Sequence, residues 1–146
     1  MLADGFSAKR GFSVIPNGKD PVSFRFDSAE RQRAREMLDI NDDTIAIGHV
    51  GRINEQKNHS FLLNVFKSFL TSNSEARLYL IGDDGGLMSE VRKRVRELGL
   101  QDKVLFLGRR TDVSELLNGM DCMVFPSLYE GFPNVVVDGS TTAFPV

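Results

Sequence analysis

Two stretches of the chain carry residue types that could do chemistry together. The first is Gly51-Arg52-Ile53-Asn54-Glu55-Gln56-Lys57-Asn58, which sets two cations on one loop between a β-rich run and a helical period. Arg52 follows the strand's C-terminal end and Lys57 stands where the next helix begins. Two cations beside free backbone N–H groups make a phosphate clamp; taken alone, the loop also reads as a solvated basic turn. The second stretch is Ser127-Leu128-Tyr129-Glu130-Gly131-Phe132-Pro133-Asn134-Val135-Val136-Val137-Asp138. Pro133 suits a first helical turn, and a helix from about Asn134 would aim its free N–H groups at an anion. Glu130 and Asp138 bracket that helix start with seven residues between them.

Other chemistries lack residues. There is no G-x-x-x-x-G-K-[ST] and no G-x-G-x-x-G, and no Asp-x-Asp to hold a divalent metal on a diphosphate. His49 and His59 are the only histidines and Cys122 the only cysteine, so no metal site and no internal disulfide is expected. His49, inside a strand, reads as a satisfied structural histidine, and Cys122 as a small core residue. Gly82-Asp83-Asp84-Gly85-Gly86 reads as a glycine-rich strand-to-helix turn, either a tight turn needing φ > 0 or a close approach to a ligand.

These residues are positioned by alternating strands and helices. Strands are expected at Ser13–Ile15, Thr44–Val50, Leu78–Ile81, Val104–Leu107 and Cys122–Phe125, most of them closed by Gly or Pro. Asp27 with Glu30 has capping-box spacing for a short polar helix to about Leu38, and Asp112 with Glu115 repeats it. Phe61, Leu62, Val65, Phe66, Phe69 and Leu70 describe one apolar helix face, and Leu87, Val91, Val95 and Leu98 another, stopped by Gly99. Continuous apolar strands between one-sided helices predict an α/β, Rossmann-like, doubly wound parallel sheet with helices on both faces, and ligands beyond the strands' C-terminal ends.

The 146 residues suggest one domain, large enough to bury roughly 70% of its unfolded surface. With 18 Lys+Arg against 20 Asp+Glu, the formal charge is −2, which argues against a nucleic-acid-coating protein. No apolar run approaches a membrane span and no secretory signal opens the chain, so a cytoplasmic location is expected.

Val14-Ile15-Pro16-Asn17-Gly18, Gly51-Arg52 with Gln56-Lys57-Asn58, Gly82-Asp83, Phe106-Leu107-Gly108 and Pro126-Ser127-Leu128-Tyr129-Glu130-Gly131-Phe132-Pro133 occur in that order. As an ordered set they resemble the nucleotide-sugar-binding half of retaining, group-one type glycosyltransferases of GT-B architecture, in particular bacterial enzymes of capsule and exopolysaccharide assembly. The resemblance implies residues 12–146 as a partial donor-binding domain and residues 1–11 as the end of an interdomain segment. It implies a sugar donor such as a UDP- or GDP-sugar, no cofactor and no metal, and an N-terminal acceptor-binding domain in a parent protein peripheral to a membrane. Arg52 and Lys57 would bind the diphosphate, with Gly51 beside them, and Glu130 would contact the transferred sugar as the catalytic carboxylate. Backbone groups of Gly131, Phe132, Asn134 and Val135 would face sugar and diphosphate. Asp138 stands where the family's second Glu binds the ribose, and Arg109 where a residue contacts the base. The sheet is expected to lack its final strand, leaving an edge for homo-oligomers, and the chain alone is expected to transfer no sugar. A non-catalytic nucleotide- or phosphate-binding module, or an interaction domain on the same scaffold, is the alternative.

Overall fold

The computed structural model describes residues 26–130. The expected strand at Ser13–Ile15 and everything from Gly131 onward lie outside them. Four strands, β1 (Ala46–Val50), β2 (Arg77–Ile81), β3 (Val104–Gly108) and β4 (Cys122–Met123), form one sheet in the order β3-β2-β1-β4, every pairing parallel. The helices are α1 (Ser28–Met37), α2 (His59–Leu70), α3 (Met88–Glu97) and α4 (Val113–Asn118). The α2–α3 pair and the α1–α4 pair each pack together.

Strand alternation sorts the core into two layers, since successive side chains leave opposite faces. Ile47, Leu78, Leu80 and Val104 pack with Leu62, Leu63 and Phe66 of α2 and Val91 and Val95 of α3. Ala46 and Tyr79 point the other way, to Ile40 and Met120. Burying both faces explains why the strands are apolar throughout. Among the described residues no helix is long and apolar enough to cross a membrane.

Four local expectations are corrected. On α2 the buried residues are His59, Leu62, Leu63 and Phe66, while Phe61, Val65 and Phe69 are exposed. The apolar stripe is wider than the strip of sheet the helix covers. Asp27 caps α1, accepting from the Ala29 and Glu30 amides, but Asn118 takes the place of a reciprocal box: its Oδ1 accepts from Asp27 N and its Nδ2 donates to Glu30. Asp112 makes no side-chain cap on α4, because its carboxylate is held by Arg110 at 2.5 and 2.8 Å. β4 pairs over only two residues, after which Val124 N still reaches Gly48 O at 3.0 Å.

The N-terminal ends of the strands are tied by charge. Asp121, just before β4, accepts from Ala46 N at 2.7 Å, from Arg31 at 2.5 Å and from Arg35 at 3.3 Å. Arg35 also donates to the Thr44, Asn41 and Gly119 carbonyls. Burial pushes the Asp121 carboxyl up, but the Ala46 amide and the two guanidinium groups outweigh it and hold it below the ordinary range.

Candidate functional site

At the opposite end of the sheet, the loops after β1 and β2 run side by side. Gly51 N donates to Ile81 O, Ile53 N to Asp83 O and Gly85 N to Ile53 O, at 2.9 to 3.1 Å. The glycine-rich turn fits the tight-turn reading: Gly86 has φ +103°, and a Cβ on Gly82 would stand 2.0 Å from Gly51 O. The close approach at Gly82 is to the neighbouring loop's backbone. Between these loops and the end of β3 lies a 260 Å³ cavity lined by Gly51, Arg52, Gly82, Asp83, Arg109 and Arg110 among others. Three of the expected site residues, Gly51, Arg52 and Arg109, therefore share one cavity. Arg52 and Arg109 are exposed.

Lys57 ends a short 3-10 turn, Glu55–Lys57, whose cap is Asn54, the side-chain oxygen accepting from Lys57 N at 3.2 Å. Asn58 then takes a left-handed conformation and α2 begins. The stem of Lys57 lies across Gly51, where a Cβ would come within 2.9 Å of the Lys57 Cε. That path carries Nζ to Glu130 Oε1 at 2.6 Å. Hydrogen bonding from Lys57 first, and from Ser127 second, holds the Glu130 carboxyl below its ordinary range.

The segment leading to Glu130 is fastened to the Lys57 loop along its length. Asn58 Nδ2 donates to Pro126 O, Leu128 N to Gln56 O, and Gln56 Nε2 to Tyr129 O. Gly131, Phe132, Asn134, Val135 and Asp138 lie outside the described residues, so only the first carboxylate of the bracket is seen here. Among the described residues no three His, Cys, Asp or Glu side chains converge as metal ligands. Cys122 is half-buried and burial pushes its thiol up, as for a packing residue.

Two residues of the site have no signal in the sequence. His49 and His59 meet edge-to-face, ring centroids 4.8 Å apart, both buried. His49 Nδ1 bonds Val124 O at 2.8 Å, while its Nε2 and both His59 nitrogens have no partner within hydrogen-bond geometry. His49 is thus half-satisfied, a correction to its reading as a fully satisfied histidine. Burial is the main cause that lowers the His49 pKa, and it pushes His59 down to about 4, with the neighbouring imidazole second. Both rings are neutral at pH 7.

The arrangement puts an ammonium, two exposed guanidinium groups and a carboxylate at the C-terminal ends of parallel strands, where ligands bind in open α/β sheets. The family model for "Glycosyl transferases group 1" matches residues 30–146. The chain belongs to that family. EpsF of Bacillus subtilis (strain 168), a glycosyltransferase by its description, is 36% identical over 132 residues, 90% of this chain and 34% of its own length. The Escherichia coli UDP-Gal:alpha-D-GlcNAc-diphosphoundecaprenol alpha-1,3-galactosyltransferase is 29% identical, covering 91% of this chain and 35% of its own. Anabaena HepE, solved in complex with UDP and glucose, superposes with a TM-score of 0.82 at 25% identity, over 92% of this chain and 37% of its own. The group 1 chain described here thus spans about a third of the length of the curated relatives it matches. Its α/β sheet is that of a GT-B glycosyltransferase domain.

Proposed function

We propose that this chain is the donor-binding part of a retaining glycosyltransferase that moves a sugar from a nucleotide diphosphate, UDP by preference, onto an acceptor in polysaccharide biosynthesis. The observation that carries the reading is the Lys57–Glu130 contact at 2.6 Å, which joins a candidate phosphate ligand, on the same loop as Arg52, to a candidate sugar-facing carboxylate across 73 residues of sequence. Departure of a nucleoside diphosphate gathers negative charge on the phosphate oxygens, and Arg52 and Lys57 are two cations on one loop that would stabilise it. They would serve where other enzymes place a metal on the diphosphate, so the donor needs no cofactor. As the phosphate takes Lys57, Glu130 loses its ammonium partner and is left facing the sugar.

Arg109 would meet the base, Asp138 the ribose, and the backbone of Gly131, Phe132, Asn134 and Val135 the sugar and diphosphate. UDP and glucose in the HepE structure, and the UDP-galactose in the name of the E. coli relative, support a uridine donor. The threefold greater length of these relatives supports a separate N-terminal acceptor-binding domain, with residues 12–146 as the donor domain and 1–11 as its lead-in. On that division the chain by itself binds donor without forming a glycoside, in the cytoplasm beside a membrane. Calorimetric titration with UDP, GDP and ADP tests the reading. UDP should bind, and Arg52→Ala or Lys57→Ala should each weaken it by roughly tenfold, the loss of one charge-assisted contact. Absence of binding by all three nucleotides would overturn it.

A further inference from the structure

β4 stops pairing with β1 after Met123, yet the chain must still deliver Glu130 to Lys57 seven residues later. Where the ladder ends, a side chain takes over: the His49 ring reaches across from β1 and bonds the Val124 carbonyl at 2.8 Å. Because a carbonyl only accepts, Nδ1 must carry the proton, which leaves Nε2 as a bare lone pair. His49 is wholly buried, and its ring is fixed from the other side by His59, edge-on at 4.8 Å, and by Phe125 at 6.2 Å. His59 is itself the first residue of α2, two positions beyond Lys57. The chain's two histidines therefore join the β4 exit to the start of α2, and each of those segments carries one half of the Lys57–Glu130 pair.

We propose that His49, held against His59, is a positioning residue that sets where β4 leaves the sheet and so holds Glu130 within reach of Lys57. The charged groups around the pair are Lys57 from the loop before α2 and Glu130 from the β4 exit, with His59 the other titratable neighbour. A second buried positive charge would be set against Lys57, so the device works with both rings neutral. The inference rests on the reading of Lys57 and Glu130 as donor ligands for its consequence in catalysis, but not for its geometry.

Three variants separate this role from mere core filling. His49→Leu keeps an apolar filling but removes the donor; His49→Asn keeps a donor at the Nδ1 position; His49→Gln moves the donor away from Val124 O. Two readouts are taken on each: the Glu130 carboxyl titration by carbon NMR, with Lys57→Ala marking the unpaired limit, and UDP affinity by calorimetry. Expected is an upward shift of the Glu130 titration in His49→Leu and His49→Gln, restored in His49→Asn. A fall in UDP affinity of roughly fivefold should accompany the shift, as for one lost hydrogen bond. Should His49→Leu not fold, His49→Gln decides. A folded His49→Leu or His49→Gln whose Glu130 titrates as in the parent chain overturns the proposal. If the parent chain binds no UDP, the donor-site reading falls while the Glu130 titration still decides the role of His49.

Discussion

The two ends of the same sheet are built on different terms. At the N-terminal ends of the strands the charges drawn into the fold are answered: Asp121 meets an amide and two arginines, Arg35 meets three carbonyls, and the buried Asn118 is bonded through both side-chain atoms. At the C-terminal ends, Arg52 and Arg109 stand exposed, and among the described residues His49 Nε2 and both His59 nitrogens are buried without a partner in hydrogen-bond geometry. Buried polar groups are normally satisfied; Tyr79 OH, in the layer with Ile40 and Met120, is unmet as well, but the histidine nitrogens cluster beside Lys57 and Glu130, where stability gives way to another demand. One end holds the fold; the other keeps its chemistry available.

The largest effect that would sharpen this contrast is acid destabilisation. His59 is held near 4 against an unfolded value near 6.5, so the unfolded chain binds more protons between those values and stability falls as pH drops through them. The shift corresponds to about 3 kcal/mol, with His49 adding in the same direction. Asp121 and Glu130, both depressed, act in the same direction but at lower pH: their contribution is present above the ordinary carboxyl values and is lost below about pH 4. Denaturant titrations across pH should therefore show a first loss between 6.5 and 4, and His59→Phe should remove much of it. A first loss unchanged in that variant would break the assignment.

Next in size, Asp121→Asn should lower stability by about 2 kcal/mol, the order of one hydrogen-bonded charge. Nucleotide affinity should be unmoved, since no contact links Asp121 to the opposite end. Arg52→Ala should do the reverse: about 1.4 kcal/mol of UDP affinity lost with the unfolding midpoint in place. The smallest effect is on stability in Lys57→Ala, within about 1 kcal/mol for a partly exposed ion pair. In that variant the Glu130 carboxyl should return to its ordinary range. Any variant that moves both stability and binding by these amounts would blur the division between the ends.

The fold was legible because apolar runs, Gly stops and Asp caps repeat at α/β spacing, and four of the expected strands form within two or three residues of their expected bounds. What sequence could not show were choices between competing partners. Asp112 had a helix amide to cap and Arg110 next to it, and the cation two residues away won. Phe61, Val65 and Phe69 have the same period as Leu62 and Phe66, and only the width of the sheet beneath α2 separates them. In the site, Arg52 and Lys57 stood out because like charges at a strand end are conspicuous. The Lys57–Glu130 contact and the histidine pair did not, since the first spans 73 residues and the second pairs residues with no motif between them.

The near-contact between Gly82 and the Gly51 carbonyl has a consequence for association kinetics. Two loops that interlock backbone to backbone cannot open independently, so the surface beneath the cations is a fixed template. On the proposed donor-binding reading, an incoming dianion would meet its docking geometry ready-made, and capture should be governed by ionic strength and diffusion, with no slow isomerisation of this floor in the relaxation trace.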